Sequence, residues 1–280
     1  MKKAALVTVH GMGRTKSSYA KEFRIEIARH LGRSFNHLHF GSVYYQNILQ
    51  PNEDRFWNSV KSDLGWRGFR EFVVFGFADA TGLETNKDQP GSAYTKAQKA
   101  IARTLVKAHH AVGDDGELVI VAHSLGGQVI SSYLWDAQKR RARNGIWKRP
   151  QEIHKQLSLS TPLSRGQLHF LRGGRLRAFY TVGCNIPIFV AAHKKVLPIK
   201  KPADAFEWHN FYDSEDVLGW PLAKLYTQRP DFLLADHQIN VGGSLMDKLK
   251  RSWNPLSHNQ YLVSSAVLDP LVALLRSLLP

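Results

Sequence analysis

Glu117-Leu118-Val119-Ile120-Val121-Ala122-His123-Ser124-Leu125-Gly126-Gly127 carries the strongest local signal in this chain. Past Glu117 the first half is continuously apolar and rich in β-branched side chains. That is the pattern of a strand buried on both faces, as in a parallel sheet. His123 to Gly127 make a tight turn. Val129, Ile130, Tyr133 and Leu134 then recur at helical spacing, which predicts a helix over 128–138. A buried strand, a glycine turn and a helix in succession form the core of a βαβ unit.

Working outward, the same grammar repeats. Residues 4–9 (Ala-Ala-Leu-Val-Thr-Val) predict another buried strand, closed by His10-Gly11-Met12-Gly13. Helical spacing follows over 19–31, then a strand over 38–45. Residues 67–83 are aromatic and predict a helix, read as core, with an acyl-pocket wall as second choice. Residues 92–112 predict a longer helix, with Ser92 as N-cap and Gly113 as its stop. Further strands fit at 177–182, 206–212 and 237–241, and residues 262–280 read as an amphipathic packing helix. Strands alternating with helices predict an α/β fold, a mostly parallel central sheet with helices on both faces. We expect one domain over 1–280, with a basic stretch at 139–175 as a possible lid or insertion.

Composition narrows the class. With 280 residues, 43% hydrophobic and 22% charged, the chain is neither disordered nor fibrous in type. The lone Cys184 excludes an intrachain disulfide and points to a reducing compartment. No run reaches the roughly 18–20 apolar residues that a membrane span requires. The apolar run after Lys2-Lys3 is too short for a secretory signal, so a cytoplasmic protein is expected.

The turn at Ala122-His123-Ser124-Leu125-Gly126 fits the pattern G-x-S-x-G, with Ala in place of the first glycine. That pattern places a serine on a strained strand-to-helix turn, where small neighbours let strand and helix approach. A serine is a poor nucleophile without a base, and the base requires an orienting acid. Both types follow in order. Asp213-Ser214-Glu215-Asp216-Val217 comes after the strand at 206–212. Ser257-His258 comes after the last strand and leads into the last helix.

Four segments together resemble the α/β-hydrolases of the lipase and esterase group, over nearly the whole chain. Val9-His10-Gly11-Met12-Gly13 resembles their HG oxyanion loop, and Val121 to Gly127 resembles the lipase AHSLGG elbow. Tyr180-Thr181-Val182-Gly183-Cys184-Asn185-Ile186-Pro187 resembles the T-x-G-S-P strand end, departing from it at Cys-Asn-Ile. Glu215-Asp216-Val217 and Ser257-His258 resemble the acid and base positions. The resemblance implies a minimal version of the fold lacking the first two strands. It implies Ser124 as nucleophile, His258 as general base and acid, and Asp216 as the acid, with Asp213 as the alternative. The oxyanion would be met by the backbone N–H groups of Met12 and Leu125. The expected activity is cleavage of a carboxylic ester, with a small-molecule or lipid acyl ester as substrate and no metal or organic cofactor. A thioesterase, amidase or phospholipase on the same triad remains open, as does a non-catalytic lipid- or partner-binding member.

Other features receive blander readings. His10 is expected to hold its loop by hydrogen bonds, and His123 to point away from Ser124. His237, beside Asp236, is the rival base, read as a satisfied polar residue. His37 and His39 share a strand face without a third ligand. Thr15 and His10 occupy the glycine positions of a Walker A loop, which excludes that motif. The net charge of +15 suits a solvated basic surface, or peripheral contact with an anionic membrane. No nucleic-acid motif accompanies it, so nucleic acid is not expected as a partner.

Overall fold

The structure, a computed structural model, describes residues 1–89, 91–241 and 260–280, and of Phe72 the backbone. Its elements in chain order are β1 (Ala4–Val9), α1 (Lys21–Leu31), β2 (Leu38–Val43), α2 (Gln50–Val60), α3 (Arg67–Glu84) and α4 (Ala93–Val112). There follow β3 (Glu117–His123), α5 (Leu125–Ala137), α6 (Ile153–Gln156), α7 (Arg165–Leu171) and β4 (Leu176–Val182). The last are α8 (Ile186–Val190), β5 (Glu207–Tyr212), β6 (Leu233–Gln238) and α9 (Ser265–Leu278).

Six strands form one parallel sheet in the order β2-β1-β3-β4-β5-β6. The buried strands explain themselves by alternation. In β1, Ala5, Val7 and Val9 join one core cluster, and Ala4 and Leu6 join the other. In β3, Leu118, Ile120 and Ala122 face the first cluster, and Val119 and Val121 the second. A strand buried on both faces has no polar side to alternate with, hence the unbroken apolar runs. Leu105 of α4 and Ile130 of α5 help close the first face. Ile27 of α1 and Leu271 of α9 help close the second.

The strand order places the loops that matter. From β1 the chain runs outward to β2. It then crosses back to β3 and proceeds the other way through β4, β5 and β6. The direction of winding therefore reverses between β1 and β3, and loops leaving their C-terminal ends diverge there. Such a switch point opens a crevice at the carboxyl edge of the sheet. Turn 10–13 and Ser124 both leave the sheet at this point.

Several elements depart from their sequence expectation. The last strand is β6, Leu233–Gln238, paired with β5 from Glu207↔Leu233 to Tyr212↔Gln238, and not residues 237–241. It is an edge strand with exposed and half-exposed positions, so it lacks the apolar run that marks the inner strands. Helix α2 had no advance signal. In α3 the aromatic residues divide: Phe75 is buried, but Phe69 and Phe77 are half-exposed, so the helix is not wholly core. The 139–175 stretch buries Ile146, Trp147, Ile153, Leu157, Phe170 and Leu171 in the first core cluster. The Ser92 cap stands as expected, its Oγ accepting the Thr95 N–H at 3.2 Å. Among the described residues no helix is long and apolar enough to cross a membrane.

Candidate active site

β3 ends at His123 and α5 begins at Leu125, so Ser124 alone makes the bend, with φ 52° and ψ −124°. A non-glycine residue in that region costs on the order of 1–3 kcal/mol and persists where its surroundings over-determine it. Here they do: Ser124 N–H donates to Val182 O at 2.9 Å, and Ser124 O accepts the Gly127 N–H at 2.9 Å. Ser124 is fully buried, and among the described residues its Oγ has no hydrogen-bond partner. The Leu125 N–H opens a helix, where unsatisfied donors and the helix dipole favour a negative charge.

Turn 10–13 lies directly on this bend. A Cβ at Gly11 would stand 2.7 Å from Ser124 Cβ, and one at Gly126 would stand 2.6 Å from His10 O and 2.9 Å from Val9 O. Only glycine permits either approach. The residue after Gly11 is Met12, which the structure thus brings beside the elbow together with Leu125. Ala122 is buried in the first core cluster and fills the place of the usual first glycine.

Two clamps hold the turn. His10 is buried, its Nδ1–H donating to Gly11 O at 2.7 Å and its Nε2 accepting the Tyr45 N–H at 3.1 Å. Burial drives its pKa down to about 4, so it is a neutral ring with both nitrogens engaged, and stacked on Tyr45 at 4.0 Å. It holds the loop, as expected. The second clamp had no expectation behind it. Asp79 of α3 accepts the Gly13 N–H at 2.7 Å and the Gln46 Nε2–H at 3.0 Å, and is hydrogen-bonded to Glu53 of α2. Burial is the largest influence on both carboxyls. It raises Glu53 to about 9 and Asp79 to about 6, the neighbouring Asp79 charge adding to the rise at Glu53. Glu53 therefore holds the proton, and Asp79 acts as the acceptor of three donors.

The acid side lies beyond β5. Asp213 Oδ1 accepts the Glu215 N–H at 2.9 Å, and Oδ2 accepts the Val241 N–H at 2.8 Å. Asp216 Oδ1 accepts the Leu218 N–H at 3.0 Å, and Oδ2 accepts the Tyr261 hydroxyl at 2.9 Å. The same hydroxyl accepts the Asp213 N–H at 2.9 Å, so Tyr261 joins both candidate acids. Sequence reasoning passed over Tyr261; its one signal was an aromatic residue shortly after Ser257-His258. His258 lies outside the described residues.

The His123 ring lies near turn 10–13 and Tyr261: a Cβ at Gly11 would meet its Nδ1 at 3.1 Å, and its centroid is 6.3 Å from that of Tyr261. His237 sits on β6 with its ring stacked on Phe211 at 4.6 Å and its Nε2 3.0 Å from His209 Nδ1. That packing fixes it in the strand layer. Cys184 is buried, its thiol pushed up to about 12 by burial, and its Sγ lies 2.7 Å from a Cβ position at Gly127. It is an inert packing group. Among the described residues no three His, Cys, Asp or Glu side chains are grouped to hold a metal ion. An apolar slot behind Leu125, walled by Ala80, Leu83 and Phe189, encloses about 10 Å³, the space of about one water.

The strand order and the elbow at the winding switch define the α/β-hydrolase fold. No protein-family model matches the sequence, and comparison with curated proteins finds no match. Among solved structures, the chain is similar to the catalytic core domain of acetyl xylan esterase from Trichoderma reesei, at 12% identity over 99% of both chains, with a TM-score of 0.42. It is similar to another acetylxylan esterase structure at 9% identity, over 99% of this chain and 98% of that one, with a TM-score of 0.42. At such identities and TM-scores, neither the fold nor the chemistry of this chain leans on them.

Two outcomes follow from this geometry. Gly126→Ala forces a methyl group against two main-chain carbonyls, and overpacking of that kind typically costs about 1–3 kcal/mol. Thermal melts should show a clear loss for Gly126→Ala; a wild-type melting temperature would contradict the close approach. The second concerns pH. A carboxyl raised in the folded state makes that state bind more protons than the unfolded chain, so stability falls as pH rises. For Glu53 the window runs from its ordinary 4.5 up to about 9. Glu53→Gln keeps a donor to Asp79 and removes this titration. Its melting temperature relative to wild type should therefore climb from about pH 5 to about pH 9. Parallel curves would remove the proton from Glu53.

Proposed function

We propose that the protein is a serine hydrolase that cleaves a carboxylic ester through an acyl-enzyme, with Ser124 as nucleophile, His258 as base and Asp216 as acid. The observation that carries the reading is Ser124 itself. It is held in a strained conformation at the winding switch, with the glycine turn of Met12 packed on it. Strain retained at a buried hydroxyl that has no hydrogen bond among the described residues fits a chemical role.

In the proposed cycle, His258 takes the Ser124 Oγ proton as Oγ adds to the ester carbonyl. The N–H groups of Met12 and Leu125 receive the oxyanion, an arrangement worth roughly 10²–10³ in turnover per donor. His258 then protonates the leaving alcohol, and water repeats the sequence to free the acid. Chain connectivity supports the choice of base. His258 precedes Tyr261 by three residues, a reach of at most about 11 Å, and the Tyr261 hydroxyl is bonded to Asp216. Asp216 is preferred over Asp213 because Asp213 gives both oxygens to main-chain donors, one of them at Val241 beyond β6. That makes Asp213 a staple between two loops.

A fluorophosphonate probe tests the reading, since labelling requires an activated serine. Wild type should label, and Ser124→Ala should not; loss of the serine should cost about 10⁶ in turnover of a p-nitrophenyl ester. An unlabelled wild type would leave a non-catalytic module. Asp216→Asn should lose on the order of 10⁴ in activity, whereas Asp213→Asn should chiefly lower the melting temperature. The reverse pattern would exchange their roles. Acyl-CoA, amide and phospholipid substrates, run beside the ester, assign the leaving group.

A further inference from the structure

Helices α2 and α3 have two faces. The inner face buries Trp57 and Phe75, whose rings meet at 6.5 Å, and carries Glu53 and Asp79 to the oxyanion turn. The outer face is apolar where a solvated face is expected to be polar. Trp66 is 84% exposed, Phe56 53% and Phe69 50%. With Val60, Leu64 and Val73 they line an open groove of about 660 Å³. Trp66 also stands in the left-handed region, with φ 52°, and its side chain makes no capping bond for α3. A bulky residue is thus held in an unfavourable conformation that leaves its ring in water.

The rim of this groove is cationic. Arg70 lines it, the exposed Arg55, Lys61 and Arg67 each adjoin a lining residue in sequence, and among the described residues none of the four is ion-paired with a carboxylate. On the same two helices Asp54 and Glu71 are both engaged by Arg14, at 2.9 and 2.8 Å. Asp63 is the remaining exposed carboxylate of residues 50–75, and its Oδ1 accepts the Ser62 hydroxyl.

We propose that the outer face of α2 and α3 seats the protein on an anionic lipid surface. Trp66, Phe56 and Phe69 enter the headgroup boundary, and the four cations meet lipid phosphates. The Trp66 ring, apolar with an indole N–H, favours that depth, the two Phe rings add apolar area, and each Lys or Arg near an anionic leaflet adds attraction. A second copy of the chain is the poorer occupant. It would bring two cationic rims together in a protein of net charge +15.

The test uses Ser124→Ala protein, so that binding is read without hydrolysis and independently of the proposed activity. Vesicles of phosphatidylglycerol with phosphatidylcholine are compared with phosphatidylcholine alone, by co-sedimentation. The protein should bind the anionic vesicles, and added salt should release it. Trp66→Ser with Phe69→Ser, and separately Arg67→Glu with Arg70→Glu, should each weaken partitioning by about tenfold or more. These positions are exposed, so the melting temperature should stay near that of the parent. Absence of vesicle binding, or binding that both double variants retain in full, overturns the proposal. So does a dimer in sedimentation velocity that Trp66→Ser with Phe69→Ser converts to monomer, which assigns the face to a second copy.

Discussion

The structure turns on the contact between the end of β1 and the start of α5. A side chain at residue 126 would have to occupy the space of the Val9 and His10 carbonyls. Because residue 126 has no side chain to displace those carbonyls, α5 can begin immediately after β3, and Ser124 alone must make the bend. The same approach brings turn 10–13 against the elbow. One steric fact therefore sets the position of the serine and of the backbone donors on either side of it. In the proposed reaction a displaced donor would lose much of its value to the developing charge, which gives the strain at Ser124 a use.

The turn is not held by its glycines, which are the least constrained residues available. It is held by partners from outside. His10 uses both ring nitrogens, and Tyr45 returns its hydroxyl to His10 O at 2.9 Å. Gly13 is fixed by Asp79, which is kept ionised in a buried setting by accepting from Gln46 and Glu53 as well. A buried lone carboxylate is expensive, and one satisfied by several donors is not. Proton storage on Glu53 lets two acids share one small volume without like-charge repulsion.

The parts of this arrangement legible in sequence are those encoded locally. Residues 4–9 and 117–122 announced buried strands, and Ser92 and Gly113 bracketed α4 correctly. The elbow was visible because small residues flank a serine between strand and helix. What escaped depended on distant partners. Glu53 and Asp79 look like ordinary helix-surface acids until α2 and α3 pack over turn 10–13. Tyr261 is one aromatic among many until its hydroxyl meets Asp216 and the Asp213 N–H. β6 was misplaced because an edge strand is specified by its neighbour's register rather than by its own hydrophobicity.

The aromatic content of α3 misled for a related reason. Composition records how apolar a segment is, and not how many surfaces it serves. A helix of 18 residues that covers a turn with one face still exposes large apolar side chains on the other. Asp79 and Phe75 account for the inner stripe. Nothing within the described fold accounts for the exposed ring of Trp66, or for cations around it that lack carboxylate partners. Residues that a monomer has no use for, gathered on one face and matched in charge, are best explained by a second phase that they meet. On this reading a single helix anchors turn 10–13 from one side and meets the lipid surface from the other.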